Sequence, residues 1–238
     1  MTAVRAQFYV YALTLIFFAI LGGFVAVNHD FKSIIVSFRG SSGEFEITME
    51  FIETVFDKKI SLFSGGVSRY FYDAFTLLWS SGMRDAFLTL KNKHPEYTVD
   101  VTGHSLGAAI GSIAAATISS EGYVSYDKIR YVSFGEPRVG DAKYVAAFDK
   151  LVGVSYRLIH SFDLVPHLPF HNLFGYDHHK VEVYYPKDMV AGSSYTVCDE
   201  NDDNTECSNK NDPFKLNWDD HDFYFNHHVS DWGISGCV

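Results

Sequence analysis

The run Gly103-His104-Ser105-Leu106-Gly107 constrains the fold more than any other part of the chain. It joins a β-rich stretch, residues 97–102, to a small-residue stretch, 106–119, that reads as a helix. A strand that enters a helix through one residue forces that residue, Ser105, into a strained backbone conformation. Neighbouring backbone then passes so close to the two flanking glycines that a Cβ at either would clash. The turn lifts the Ser105 hydroxyl clear of the sheet. It also sets the Leu106 N–H beside the hydroxyl, at a helix N-terminus that favours developing negative charge. Further strands are expected near 129–134, 154–159 and 181–185, with a helix at about 141–151. That alternation predicts an α/β protein, a mostly parallel central sheet with helices on both faces. In such sheets the ligand site lies beyond the carboxyl ends of the strands.

Upstream, Val67, Phe71, Phe75 and Leu78 recur at helical spacing, and Met83, Phe87 and Leu90 continue it past Gly82. One long helix closing at His94-Pro95 is therefore expected. Residues 8–27 carry no charge over twenty positions, enough to span a bilayer in principle. Gly22-Gly23 interrupts that run. Phe24–Val27 and Ile34–Phe38 flank a polar turn and read as a hairpin. Residues 1–22, with Arg5 and no acid, read as a signal-peptide-like or anchor segment, with folded structure as the alternative. With no repeat or Pro-rich linker, residues 23–238 read as one domain. The expected location is secreted or extracellular, or membrane-anchored through residues 8–27.

A hydrophobic content of 47%, with 21 Phe and 15 Tyr, supplies a large core and excludes general disorder. The net charge of −10, with no cluster of Lys and Arg, argues against nucleic acid and against a basic membrane anchor.

Five motifs in order resemble the class 3, fungal-type lipases and especially their nematode members. They are Phe38-Arg39-Gly40-Ser41, Thr102-Gly103-His104-Ser105-Leu106-Gly107, Phe134-Gly135-Glu136-Pro137-Arg138-Val139-Gly140, Asp163-Leu164-Val165-Pro166-His167-Leu168-Pro169 and Asp220-His221-Asp222-Phe223-Tyr224-Phe225. The resemblance runs from about Gly23 to Cys237. It implies an α/β-hydrolase fold with Ser105 as nucleophile, Asp163 as acid and His221 as base. Ser41 would supply an oxyanion donor beside the Leu106 N–H. The residues themselves support these roles unevenly. Asp163 follows the strand at 154–159, read as the sheet edge, and Val165-Pro166 and Leu168-Pro169 stiffen its loop. The chain has 11 His, and His227 and His228 stand as alternative bases. The order Ser, Asp, His is the one expected of α/β-hydrolases.

The implied activity is serine-dependent hydrolysis of acylglycerol esters at a lipid–water interface, by a monomer in transient contact with lipid. Esterase, phospholipase and catalytically silent lipid-binding readings stay open, since the fold alone does not set function. The resemblance also implies a mobile lid after the oxyanion residue. In residues 42–56, Phe45, Met49 and Ile52 with Glu44, Glu46, Glu50 and Glu53 would form an acidic amphipathic helix, which also suits an ordinary surface helix. Relative to the nematode members the N-terminal part is shortened, and the partner of Cys237 would lie in the segment replaced here by the signal-like stretch. Cys198 and Cys207 can close a short loop if the chain is exported. No cofactor or metal is expected. The acidic loop between those cysteines lacks the Gly of a calcium loop, and Pro169 separates His167 from His171.

Overall fold

Residues 6–16, 19–40, 55–170, 173–199 and 206–236 are described by the computed structural model. Their organising element is an eight-stranded sheet in the order β1-β2-β3-β6-β7-β8-β9-β10. The strands are β1 (Ala6–Ile16), β2 (Ala19–Asn28), β3 (Ser33–Phe38), β6 (Thr98–His104), β7 (Ile129–Phe134), β8 (Val154–His160), β9 (Glu182–Tyr185) and β10 (Thr196–Cys198). From β3 to β9 every pairing is parallel, and β1, β2 and β10 add antiparallel margins. The expected hairpin is present as β2–β3, with the Asn28 side-chain oxygen accepting from the Asp30 and Phe31 N–H groups. A small separate ribbon, β4 (Lys59–Leu62) with β5 (Gly65–Ser68), precedes the first helix.

Four helices cover one face: α1 (Arg69–Leu78), α2 (Arg84–Lys93), α3 (Leu106–Ser120) and α4 (Ala142–Leu151). The strand residues facing them are apolar and mostly β-branched, and Val36, Val99, Val101 and Ile129 are fully or almost fully buried. Helix α3 runs beneath the middle of the sheet. It is apolar nearly all round, with its residues from Leu106 through Ala116 buried, as a helix enclosed on all sides must be. Tyr131 of β7 donates to the Ala108 carbonyl, and Ser112 bonds Tyr144 of α4, so the few polar groups in this layer are paired. The C-terminal segment lies against the opposite face. Its elements are short: α5 (Asp219–Asp222), β11 (Phe223–Tyr224), β12 (His227–His228) and α6 (Val229–Ile234). Among the described residues no helix is long and apolar enough to cross a membrane.

The single helix expected from Val67 to Leu90 is two helices. Val67 belongs to β5, and Ser68 caps α1 by accepting from the Phe71 N–H. Between α1 and α2 the chain makes a π-turn at Trp79–Met83, where Gly82 adopts φ 116°. That φ is open to glycine without penalty, and a turn there swings Met83 and Phe87 into the core. Met83 fills the space above Gly23, where a Cβ would stand 2.8 Å from its sulfur.

The close approach expected at the glycines of the turn is present and severe. A Cβ on Gly103 would lie 2.3 Å from the carbonyl of Gly107, and one on Gly107 would lie 2.2 Å from the carbonyl oxygen of Phe38. Both obstacles are backbone, so neither can move aside as a side chain can. Gly107→Ala is expected to destabilise the fold by about 3 kcal/mol or more, read as a fall in urea midpoint at constant m. Gly233→Ala, where a Cβ meets nothing within 4 Å, should leave the midpoint nearly unchanged.

Cys198 and Cys207 form the expected disulfide. Several expectations fall on residues outside those described: Ser41, residues 42–54 of the lid segment, His171, most of the acidic loop and Cys237. Residues 55–56, the end of that segment, are helical and buried, and the Phe56 ring packs edge-on against Phe71 and Tyr176.

Candidate active site

Ser105 lies between β6 and α3 with φ 57° and ψ −127°, the strained conformation that a one-residue turn demands. Three backbone hydrogen bonds hold it. Its N–H donates to the Phe134 carbonyl at the end of β7, and its own carbonyl accepts from Ala108 and Ala109. Gly40, just after β3, lies against it, and a Cβ there would be 3.4 Å from the Ser105 Cβ. Leu106 opens α3, so no carbonyl within the helix reaches its N–H.

Asp163 follows β8, and the strand is interior rather than the edge expected from sequence, because β9 and β10 extend the sheet beyond it. Of these, β9 is the strand expected at 181–185, but a long loop hides its pairing with β8, and the three-residue β10 carries too weak a pattern to foresee. The carboxylate is fully buried and accepts from three donors. The Val165 N–H reaches Oδ1 at 2.9 Å, the Tyr224 hydroxyl reaches Oδ2 at 2.7 Å, and His221 Nδ1 lies 2.9 and 3.0 Å from the two oxygens. Burial alone would raise its pKa. The His221 ring and the hydrogen bonds from His221, Tyr224 and Val165 outweigh that and hold it below the usual carboxylate value.

The loop that carries Asp163 is stiffened from several sides. Arg138, itself buried, bonds the carbonyls of Leu168 through its N–H and of Pro169 through its guanidinium. His178 Nε2 is 2.7 Å from the Pro166 carbonyl. The segment before His221 is tied to the same loop, since Leu164 and Asn217 pair by backbone and the Asp220 carboxylate accepts from the Phe162 N–H. These ties select among the histidines. His221 is buried against Asp163, whereas His227 is exposed and stacks on Trp232, and exposed His228 faces Asp231.

Three contributors were not singled out from sequence. Gly135 has φ 56°, and a Cβ there would stand 2.8 Å from both the Asp163 carboxylate and the His221 ring. Because its neighbour Phe134 accepts from Ser105, one turn of backbone touches all three predicted groups. Tyr224 stands three residues after His221 but on β11, past the end of α5, so no helical spacing links the two. His104 stacks on His221.

Two histidines, His178 buried and His104 half-buried, make stability depend on pH. Burial, and then the His221 ring, lowers the His104 pKa to about 3. Burial, followed by the charges of Arg157 and Arg138, pushes His178 well below its ordinary value. Both stay neutral in the fold but take up protons on unfolding below about pH 6.5, so stability falls as pH drops through that value. Each is expected to make stability fall between pH 7 and pH 5. Asp163 does not contribute in this window, because a lowered carboxylate pKa loses its stabilisation only further down. The check is thermal unfolding from pH 7 to 5, in which His178→Gln should show a shallower fall.

A nucleophile-type turn between β6 and α3, with a buried acid just past β8 and a buried imidazole from α5 of the C-terminal segment, defines an α/β-hydrolase. The class 3 lipase description matches residues 35–173. A Caenorhabditis elegans lipase is 32% identical over 90% of this chain and 68% of its own length. The chain belongs to the class 3 lipase family, whose members are ester hydrolases of the triacylglycerol-lipase kind. It is 33% identical to a secreted mono- and diacylglycerol lipase of Fusarium solani over 74% of this chain, and spans about half of that relative's length. Among solved structures, the lipase of Rhizopus microsporus var. chinensis superposes with a TM-score of 0.82 at 26% identity, covering 94% of this chain and 75% of that one. A triacylglycerol lipase, described as having a serine-protease triad at its catalytic centre, superposes with a TM-score of 0.80 at 26% identity over 94% of this chain and 82% of its own.

Proposed function

We propose that this protein hydrolyses acylglycerol esters at a lipid–water interface, with Ser105 as nucleophile, His221 as general base and Asp163 as its partner. The observation that carries the reading is the buried Asp163–His221 pair, joined to the Ser105 turn through Phe134 and Gly135. His221 takes the Ser105 proton as the oxygen attacks the ester carbonyl, and Asp163 stabilises the imidazolium that forms. The tetrahedral oxyanion is met by the Leu106 N–H and by Ser41, and loss of one such donor typically costs about 10²–10³ in turnover. His221 then protonates the departing glyceride alcohol. A water activated by the same ring releases the acyl group.

Residues 42–56 act as a lid, with the buried pair Val55 and Phe56 as its fixed end. Residues 23–238 work as one hydrolase domain and as a monomer, and of residues 1–22, read from sequence as an export signal or anchor, 6–16 and 19–22 pair into the sheet as β1 and the start of β2, which supports the folded alternative. The disulfide, and the secreted Fusarium solani relative, support an extracellular location. That relative's name makes partial glycerides the first substrates to try. The test is a rate curve for a diacylglycerol carried through its solubility limit. A jump in rate at emulsion formation is expected. Smooth saturation would remove the lid, and no release of fatty acid from any glyceride would remove the substrate class.

A further inference from the structure

Asp163 fixes one nitrogen of the His221 ring but not the plane of the ring. A histidine's terminal torsion is broad, so an imidazole held only at Nδ1 can still pivot. The structure supplies what the hydrogen bond cannot. His104, the last residue of β6, stacks on His221 with ring centroids 4.5 Å apart and planes 28° from parallel. Its Nε2 also lies 2.9 Å from the His221 carbonyl oxygen. A carbonyl only accepts, so His104 Nε2 carries the proton and donates it. One side chain therefore touches both the face of the base and the backbone it hangs from, across 117 residues of sequence. The Trp218 ring meets His221 edge-on at 5.2 Å, and the Gly135 backbone closes a further side.

We propose that His104 is a positioning residue for the base, fixing the plane of the His221 ring relative to Ser105. The proposal rests on the reading of His221 as base. It draws on the adjacency of His104 and Ser105, since one strained turn carries both the nucleophile and the ring that stacks on its base. A displacement of that turn moves the two together and keeps their relation. The charge state also fits, because burial keeps His104 neutral and a neutral ring does not oppose the imidazolium formed at His221 during turnover. The titratable groups around the stacked pair are Asp163 from the loop after β8, Tyr224 from β11, whose ring meets His104 edge-on at 5.5 Å, and His160 of β8, whose ring lies 5.9 Å beyond Tyr224. The Asp220 carboxylate is engaged elsewhere, accepting from Phe162 and Asn217.

The test uses the full chain and a short-chain, water-soluble p-nitrophenyl ester, with kcat and KM measured separately. Phe at position 104 keeps a flat ring without the donor, Gln keeps a donor without the ring, and Ala keeps neither. His104→Ala is expected to lower kcat about 10²-fold with KM within about twofold, the scale of a small misplacement in an active site. His104→Phe and His104→Gln should each recover about tenfold of that loss. Rates of fluorophosphonate labelling of Ser105 should follow the same order, measured per folded molecule. If the Ala variant does not fold, the Phe and Gln variants carry the comparison alone, each about tenfold below wild type. Wild-type kcat in folded His104→Phe and His104→Gln would overturn the proposal. So would a loss confined to KM, or one explained by the unfolded fraction. Ser105→Ala is run beside them. Full activity in that variant would sink the underlying reading, whereas an inactive Ser105→Ala beside unaffected His104 variants sinks only this inference.

Discussion

Ser105→Ala is expected to lower ester hydrolysis by about 10⁶ in kcat while leaving the fold in place. The effect is large because no other group can inherit the role. The turn holds this residue at φ 57° and ψ −127° and ties its N–H to the Phe134 carbonyl. Only a side chain hanging from that backbone stands beside the Leu106 N–H. Alanine tolerates the same strained backbone as poorly as serine does, and no hydrogen bond from the Ser105 hydroxyl supports the turn among the described contacts. Stability should therefore change by less than about 1 kcal/mol. The measurement pairs hydrolysis of an emulsified diacylglycerol with labelling by a fluorophosphonate. Equal labelling of wild type and variant would end the serine-hydrolase assignment. Residual hydrolysis should still exceed the uncatalysed rate by about 10³–10⁴, since the oxyanion donors and binding remain.

Asp163→Asn should cost on the order of 10⁴ in kcat with KM little changed. The carboxylate is buried, pairs with His221 Nδ1 through both oxygens, and accepts from the Tyr224 hydroxyl and the Val165 N–H. An amide is nearly the same size, so packing is kept. What it loses is the negative charge that favours the imidazolium, and one of its two ends becomes a donor. If that end faces His221, Nδ1 must accept, and the proton moves to the nitrogen that has to take one from Ser105. If it stands where Oδ1 was, it opposes the Val165 N–H, two donors in a buried place, at a cost of about 1–3 kcal/mol of stability, whereas the Tyr224 hydroxyl at the other end can turn and accept. A rate loss that deepens as pH falls, measured alongside urea unfolding, separates the two orientations. A kcat within tenfold of wild type would show that Asp163 does not serve His221.

The turn at Ser105 was legible because its demands are local. Strand, one residue, helix and two flanking glycines stand next to each other in sequence, and the contacts at Gly103 and Gly107 follow directly from that geometry. The same holds for the β2–β3 hairpin, for α3 and for the strands flanking it, whose β-branched or small apolar residues leave few alternatives. The break between α1 and α2 was less legible, since Gly82 inside a helical pattern costs little and gives no sign of the turn it makes. His221 could be separated from His227 and His228 by resemblance but not by pattern. All three lie within eight residues, and only their burial and their contacts differ. His104 stood in full view inside the motif, yet its partner lies 117 residues away, and no local rule links them.

The sequence by itself determined the parallel α/β layout, the strained turn at Ser105 and the membership in the class 3 lipase family. Each rests on spacing between near neighbours or on motifs kept in order, and short-range sterics and hydrophobic periodicity act over just those distances. Only the tertiary structure decided which imidazole meets Asp163, that Tyr224 and Gly135 shape the same pocket of buried charge, and that His104 covers the face of His221. Those choices depend on how the C-terminal segment folds back across the ends of strands more than fifty residues earlier. The ties between Asn217 and Leu164, and between Asp220 and Phe162, set that path. Such ties join groups far apart in the chain, so they become visible only once the sheet has brought them together.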